Sequence, residues 1–371
     1  MSNTKVAVSL ESIYAQTIDE IVEGLLVNGS KVTTLVRGHM GSGKSSILKI
    51  LAEKLPNHIP CYFDCTTKDL GDLMIPKILD IGDDTQFVRF VPNEELGFHH
   101  NKPVILMVDE FGKANPSVKN GMMRVMLERT LSSKKLHPES IIFATTNLGG
   151  EGVGDLLLPH HRNRITVVQM KKATTAEWIE NYAYNAGIHP AMIMWVKDNE
   201  QLGQSYEDVP NPADNPHIYH PAVQRTSFFT WRSAELASHW LWAKDKISNN
   251  TLMGALVGTI GDRSASDLKA FITLVDDLPK QQEIKDNPET ARVPSKASAV
   301  MMTVHKALAT IDKTWIDSWM VYLNRLDKEA QQVFVGQVRN PKYTKQSMVM
   351  GNAKFRDWCV ENNYMFTADK V

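Results

Sequence analysis

The sequence predicts an α/β fold, a parallel sheet with flanking helices, continued by a helical second half. Three observations carry this. Apolar, strand-like runs alternate with helical patterns between residues 32 and 170. The run Gly38-His39-Met40-Gly41-Ser42-Gly43-Lys44-Ser45 lies between the first such strand and a helical pattern, the setting of a phosphate-binding loop. After about residue 170 the strand patterns stop and helical ones take over.

In chain order, Leu10, Ile13, Ile18, Ile21 and Leu25 recur at helical spacing, and Asn28-Gly29 ends that helix. Val32 to Val36 is the first strand, Ser45 to Leu55 the helix after the loop, and Ile59 to Phe63 the second strand. Phe87 to Val91 reads as a further short strand. Val104 to Val108 is nearly all apolar, as a central parallel strand covered on both faces must be. A helix follows over Val118 to Leu127, whose Met122, Met123 and Met126 read as core filler. Ile141 to Ala144 and Ile165 to Val168 complete the strands. Helices are expected within Ala173 to Tyr184, Thr230 to Trp242, Ala265 to Val275, Ala297 to Ile311 and Lys328 to Gln337. Residues 201–224, rich in Asn, Pro, Asp and His, read as a long surface excursion, and Lys280 to Ser295 as a linker. Trp315, Trp319 and Tyr322 are expected to be buried.

With 371 residues the chain exceeds one typical domain. The expected division is 1–170, a nucleotide-binding core with an N-terminal helix; 171–280, a helical lid with the insertion near 201–224; and 281–371, a linker and helical C-terminal region. A net charge of -1 gives no global sign of nucleic-acid or membrane-surface binding. Cys61, Cys65 and Cys359 have no metal-ligand spacing, and an odd count argues against a disulfide scaffold. The N-terminus lacks a signal-sequence pattern, and Leu252 to Ile260 is too short to span a bilayer. The cytoplasm is the expected location.

The run from Gly38 through Ser46 is the candidate nucleotide cradle: Gly38, His39, Met40, Gly41, Ser42, Gly43, Lys44, Ser45 and Ser46. Its backbone N–H groups can wrap a phosphate chain, with the helix dipole adding to the attraction. Gly38 and Gly41 supply conformational room and close approach, while His39 and Met40 fill the loop. Lys44 reaches the β- and γ-phosphates, and Ser45 ligates Mg2+. A glycine-rich turn that binds nothing is the bland alternative, and the strand and helix on either side weigh against it.

Asp109 and Glu110 end a hydrophobic strand. The first carboxylate can hold Mg2+ through its water shell, and the second can polarise a water for in-line attack. Asn147, with Thr146 as runner-up, ends the next strand and can hold the same water. Arg164, and after it Arg162, are candidates to place a guanidinium against a neighbouring subunit's γ-phosphate. Arg232, with Arg225 behind it, is the candidate to reach the phosphates from the lid.

These segments together resemble an AAA+ ATPase of the MoxR-like branch. The resemblance covers residues 32–170 and continues weakly to about 275. It rests on Met107-Val108-Asp109-Glu110, on Lys113-Ala114-Asn115-Pro116, on Met122 to Thr130 ending in Leu127-Glu128-Arg129, and on Phe143-Ala144-Thr145-Thr146-Asn147. Leu158-Pro159 through Arg164 resembles the segment carrying an arginine finger, and Arg232 falls where a second sensor arginine is expected. The chain departs from the pattern at Gly112-Lys113, where Asn-Arg is usual. The resemblance implies ATP and Mg2+ as ligands, a ring, usually a hexamer, with ATP at the subunit interfaces, and a partner containing a von Willebrand factor A domain. The lean, Cys-poor form with a divergent lid resembles versions encoded by bacterial viruses, for which the location is the host cytoplasm.

The expected function is Mg2+-dependent ATP hydrolysis that remodels or assembles a protein partner. The loop Leu131 to Glu139, with Lys134, Lys135 and His137, is one place for substrate contact. The alternative is an ATP-dependent nucleic-acid motor or a loader for a replication helicase, in which such basic residues line a channel. A non-hydrolysing scaffold is disfavoured by the completeness of Lys44, Ser45, Asp109, Glu110 and Asn147. A small-molecule kinase is disfavoured by the large helical region.

Overall fold

The computed structural model describes residues 14–82, 86–151, 163–275 and 278–362. The chain divides into two compact units, Met1–Lys172 and Ala173–Val371.

The first described element of the first unit is α1 (Ile18–Asn28), started by a capping box in which Thr17 and Glu20 satisfy each other's backbone N–H. Of the expected helical positions, Leu10 and Ile13 lie outside the described residues. Gly29 closes α1 where no side chain fits: a Cβ there would lie 2.4 Å from the Leu25 carbonyl oxygen and 2.7 Å from Ile141. Next come β1 (Thr34–Arg37), α2 (Ser46–Lys54), β2 (Ile59–Asp64), β3 (Met74–Asp80), β4 (Gln86–Pro92), β5 (Val104–Asp109), α3 (Pro116–Glu128), β6 (Thr130–Leu131), β7 (Lys134–Lys135), β8 (Ile141–Thr146) and β9 (Thr166–Gln169). Pro116 opens α3 behind an Asn115 cap, a start worth about 1 kcal/mol over an uncapped one.

Five strands form one parallel sheet in the order β2-β5-β8-β1-β9. Side chains alternate between its two covered faces, which is why β5 is apolar from Val104 to Val108, up to the Asp109 that ends it. Ile105 and Met107 join Val36 and Phe143 under α1 and α2, where Ile21, Val22, Leu25, Ile47 and Leu51 are buried. Leu106 and Val108 join Leu35, Ile142 and Ala144 under α3, where Val118, Met122 and Met126 are buried. The sequence expectation of an α/β core with a parallel sheet, followed by a helical region, holds in this architecture, which matches that of AAA+ proteins.

The stretch Phe87 to Val91 is a strand, but outside that sheet. It is part of β4, which pairs antiparallel with β3 as a separate ribbon, Ile75 opposite Val91 and Lys77 opposite Arg89. Ile75, Ile78, Phe87, Val88, Phe90 and Val91 on this ribbon are all exposed. A second small hairpin, β6–β7, exposes Lys134 and Lys135 between α3 and β8.

The second unit holds α4 (Thr175–Trp178), continued by a π turn over Ile179–Ala183, then α5 (Pro190–Lys197), α6 (Trp231–Trp242), α7 (Asn249–Ile260), α8 (Asp262–Val275), α9 (Gln281–Asp286), α10 (Ala297–Thr310), α11 (Ile316–Leu323), α12 (Lys328–Arg339), α13 (Gln346–Met350) and α14 (Ala353–Glu361). One core runs from Trp178 to Trp358 and takes in Trp195, Leu256, Trp315, Trp319 and Tyr322. Among the described residues, no helix is long and apolar enough to cross a membrane.

Two expectations are corrected here. Residues 201–224 are irregular but not a surface excursion. Leu202, Val209 and Ile218 are buried, Asn215 donates to the Gln201 carbonyl at 2.7 Å, and the Arg225 guanidinium donates to the carbonyls of Ile218 and Pro212. Spaced single apolar residues, invisible to a periodicity reading, anchor the loop. Lys280 to Ser295 is likewise no plain linker: it contains α9, buries Ile284 and Ala291, and receives a 2.8 Å hydrogen bond from the Tyr322 hydroxyl at the Arg292 carbonyl.

His305 on α10 is buried, and its Nδ1 meets the Tyr184 hydroxyl. Burial pushes its pKa down to about 3. The unfolded chain therefore binds a proton that the folded one refuses between about pH 6.5 and 3, so stability is lost as pH falls through that window. Going from pH 7 to 5 is expected to cost about 2 kcal/mol through this residue. Urea denaturation at both pH values checks it, with His305→Phe expected to remove that share of the difference.

Candidate functional site

The parallel register brings the ends of β5, β8 and β1 to one edge of the sheet. Asp64 stands level with Asp109, Val108 with Ala144, and Arg37 with Thr146. The groups that follow these strands are therefore neighbours, and a crevice beyond the carboxyl ends of parallel strands is where such sheets bind ligands.

After β1 the chain enters the loop 38–45. Gly41 and Gly43 have φ of +68° and +94°, the left-handed region that a side chain strains. A Cβ on Gly38 would come within 3.2 Å of Met170 Cβ and 3.4 Å of Ser42 Oγ. Lys44 is 7% exposed. Its ammonium donates to the Gly38 carbonyl at 2.8 Å, the His39 carbonyl at 2.9 Å and Asn147 Oδ1 at 2.8 Å. Ser45 and Ser46 stand at the start of α2; the Ser45 side chain makes no capping bond and is exposed.

His39 and Met40, read from the sequence as loop fillers, have a definite tie. The buried Glu151 carboxylate sits 3.0 Å from His39 Nδ1 and accepts the Met40 backbone N–H at 2.8 Å. Glu151 ends the short turn Gly149–Glu151, four residues past Asn147. The front of the phosphate loop is thus pinned to the segment that follows β8.

Asp109 accepts hydrogen bonds from two hydroxyls, Tyr62 at 2.8 Å to Oδ2 and Thr145 to Oδ1. Burial and the bond to Asp109 push the Tyr62 phenol pKa upward, so it stays a donor. Thr145 also accepts the Glu110 N–H at 3.4 Å. Glu110 leaves the strand with φ 50° and ψ 35°. A non-glycine residue held there costs on the order of 1–3 kcal/mol, and such residues cluster at working sites. The turn separates the two adjacent carboxylates: Asp109 faces the hydroxyls, and Glu110 faces Asn147, whose Nδ2 donates to Oε1 at 3.2 Å. Lys113 Nζ lies 3.0 Å from Glu110 Oε2, an ion pair without hydrogen-bond alignment.

The structure thus brings together Lys44, Asp109, Glu110 and Asn147. Two further buried hydroxyl oxygens here, Ser42 Oγ and Thr146 Oγ1, have no hydrogen-bond partner among the described residues. Unpaired buried hydroxyls, left-handed glycines and a buried ammonium fit a bound oxyanion such as a phosphate chain. Asp109 and the Ser45 hydroxyl are hard oxygens of the kind Mg2+ takes alongside substrate phosphates and water. Among the described residues there is no cluster of three or more His, Cys, Asp or Glu side chains that could hold a metal on its own.

Arg164, just before β9, is exposed. Arg162 and the stretch Leu158-Pro159 lie outside the described residues. Arg232 is exposed on α6, in the second unit. Arg225, in contrast, is engaged by the carbonyls of the 201–224 loop. Sequence reasoning missed Glu151, Thr145 and Tyr62, and noted Lys113 only as a departure from a pattern. A hydroxyl beside a strand-end carboxylate gives no signal by itself. Glu151 is 112 residues away from His39, beyond any local spacing rule.

No family model matches the chain, and no curated protein matches it. Among solved structures, it is similar to the Thermotoga maritima RuvB Holliday junction branch migration motor, at 13% identity over 84% of this chain and 90% of that one, with a TM-score of 0.36. A P216G mutant of the same protein gives 14% identity over 82% and 91%, with a TM-score of 0.38. Hsp104, in a closed state with ATPγS and casein, gives 18% identity over 66% of this chain and 40% of that one, with a TM-score of 0.33. These likenesses are too loose to argue from. The fold assignment stands on the sheet order and on the loop between β1 and α2.

Proposed function

We propose that this chain hydrolyses ATP with Mg2+ and does so as an assembly, coupling the reaction to mechanical work on a partner. One observation carries the reading: Lys44, Asn147 and Glu110 form a continuous hydrogen-bonded series at the end of the sheet, with Asp109 beside it. Those are the groups that phosphoryl transfer to water requires, a cation and amides for the phosphates, a metal-binding carboxylate and a base. Lys44 and the loop amides would hold the phosphates. Asp109 and Ser45 would hold Mg2+, which supplies neutralisation of phosphate charge. Glu110 takes the proton of the attacking water, and Asn147 helps fix that water. Arg164, exposed beside β9, suits a guanidinium offered to a neighbouring copy, and Arg232 suits a contact made from the helical unit. Assembly into a ring, the hexamer included, and a von Willebrand factor A domain partner rest on the sequence resemblance to MoxR-like AAA+ proteins.

Two exposed hairpins divide the readings of the partner. Lys134 and Lys135 on β6–β7 favour a nucleic-acid motor, since several copies would line a path with cations. The apolar β3–β4 ribbon favours a protein partner, because exposed apolar surface of that kind marks protein contact. ATP turnover is measured with single-stranded DNA, with double-stranded DNA and with an unfolded polypeptide. Stimulation by DNA that fades as salt rises supports the motor. Stimulation by polypeptide alone supports the remodeller.

Assembly is tested on Arg164→Ala. The expected result is ATP affinity kept, turnover per chain down by about 1,000-fold, and no rise in specific activity with protein concentration. Normal turnover in this variant, with loss in Arg162→Ala, would move the role to Arg162.

A further inference from the structure

We propose that Tyr62 is a positioning residue for the divalent cation of this site: together with Thr145 it fixes the plane of the Asp109 carboxylate, so that Mg2+ meets a ligand already set. This rests on the ATPase reading above and concerns how the same site takes its metal.

The sheet order builds the grip. β5 runs between β2 and β8, and Asp109 at its end receives one hydroxyl from each side. On β2, Tyr62 stands level with Met107. Met107 and Asp109 are two residues apart and share a face, so Tyr62 and Asp109 are diagonal neighbours within reach of a long aromatic side chain. The Tyr62 hydroxyl donates to Asp109 Oδ2 at 2.8 Å. On β8, Thr145 follows the Ala144 that stands level with Val108, which brings it beside Asp109, and its hydroxyl donates to Oδ1. Each carboxylate oxygen is thus held from a different strand. A carboxylate has about four lone-pair sites, so about two stay open to a metal or its waters.

The grip matters because an aspartate can turn about the bond to its carboxylate. Donors on both oxygens oppose that rotation. Mg2+ demands near-octahedral order and gives up its waters reluctantly, so a carboxylate that must first be oriented serves it less well. Asp64, level with Asp109 on β2, is turned to its own chain: its Oδ1 accepts the Thr66 N–H at 2.9 Å and the Thr66 hydroxyl at 2.7 Å. Of the two donors, Tyr62 is the informative one to change. Thr145 is fully buried and also accepts the Glu110 N–H, so its loss disturbs the turn at Glu110 as well. Tyr62 is 46% exposed on the outermost strand of the sheet, so removing its hydroxyl opens no cavity. A tyrosine that only covered the sheet edge would be replaced equally well by phenylalanine.

The test titrates a fluorescent, non-hydrolysable ATP analogue into the full chain, first in EDTA and then across Mg2+ concentrations. In Tyr62→Phe the metal-free affinity is expected to stay within about twofold of the parent, while the Mg2+ concentration for half-maximal tightening rises about tenfold, the low end of what outer-shell partners of a metal contribute. The thermal midpoint is expected to stay within about 2 °C of the parent. Thr145→Ser, which keeps a hydroxyl, is expected to hold the parent Mg2+ midpoint. An unchanged or lower Mg2+ midpoint in Tyr62→Phe would overturn the proposal, as would an affinity loss as large in EDTA as in Mg2+. Those outcomes leave the ATPase reading standing. A parent that takes up no analogue, or takes it up without regard to Mg2+, fails that reading and the proposal with it.

Discussion

Glu110→Gln is expected to keep ATP bound while turnover falls by about 100- to 10,000-fold, the range that a positioned general base contributes. The substitution preserves shape and removes the basic oxygen. Asn147 Nδ2 can still donate to the amide oxygen, so the left-handed turn at Glu110 and the packing of Phe111 behind it should persist. The thermal midpoint should therefore stay within a few degrees of the parent, and single-turnover measurement with radiolabelled ATP should show binding without phosphate release. Turnover equal to the parent would remove Glu110 from the chemistry and reopen the possibility of a nucleotide-gated scaffold. The effect should also separate Glu110 from Asp109, whose oxygens serve Tyr62 and Thr145 rather than Asn147.

Lys44→Ala is expected to act one step earlier, on binding. Hydrogen bonds to a charged group contribute about 1.5–3 kcal/mol, which corresponds to about a 10- to 150-fold weaker ATP affinity. The variant also leaves the carbonyls of Gly38 and His39 and the Asn147 Oδ1 without their buried donor. Some loss of stability should accompany it, and circular dichroism at each temperature separates the two effects. Fluorescence of a labelled ATP analogue, titrated in folded protein, gives the affinity. Because Asn147 loses its fixed partner, Lys44→Ala should also loosen Glu110, and the turnover lost should exceed what saturating ATP restores.

How far the sequence could be read depended on how local each cause was. Val104 to Val108 was legible because a strand covered on both faces must be apolar along its length, and the core shows Ile105 and Met107 on one side, Leu106 and Val108 on the other. The phosphate loop was legible because its glycines answer a backbone need: Gly41 and Gly43 do adopt positive φ. The β3–β4 ribbon was half legible. Phe87 to Val91 has strand composition, but nothing in it says that its partner is Met74–Asp80, broken by Pro76 and Lys77, rather than the main sheet. The segment 280–295 was misread because its polar majority hides Ile284 and Ala291, which are buried. At the site, residue types with one obvious chemistry stood out, while their supports did not. Thr145, Tyr62 and Glu151 act through bonds that close only when distant strand ends meet. Lys113 illustrates the difference: as a residue it was a departure from a pattern, and only the fold shows which carboxylate oxygen it faces.

Isothermal titration of ATP into folded, magnesium-supplied protein, parent beside Lys44→Ala, tests most directly whether the loop around Lys44 is a nucleotide cradle. The expected result is saturable binding by the parent, at about one ATP per chain, that weakens at least tenfold in the variant. A parent protein that takes up no ATP, or a variant that binds it equally well, would contradict the assignment of this site.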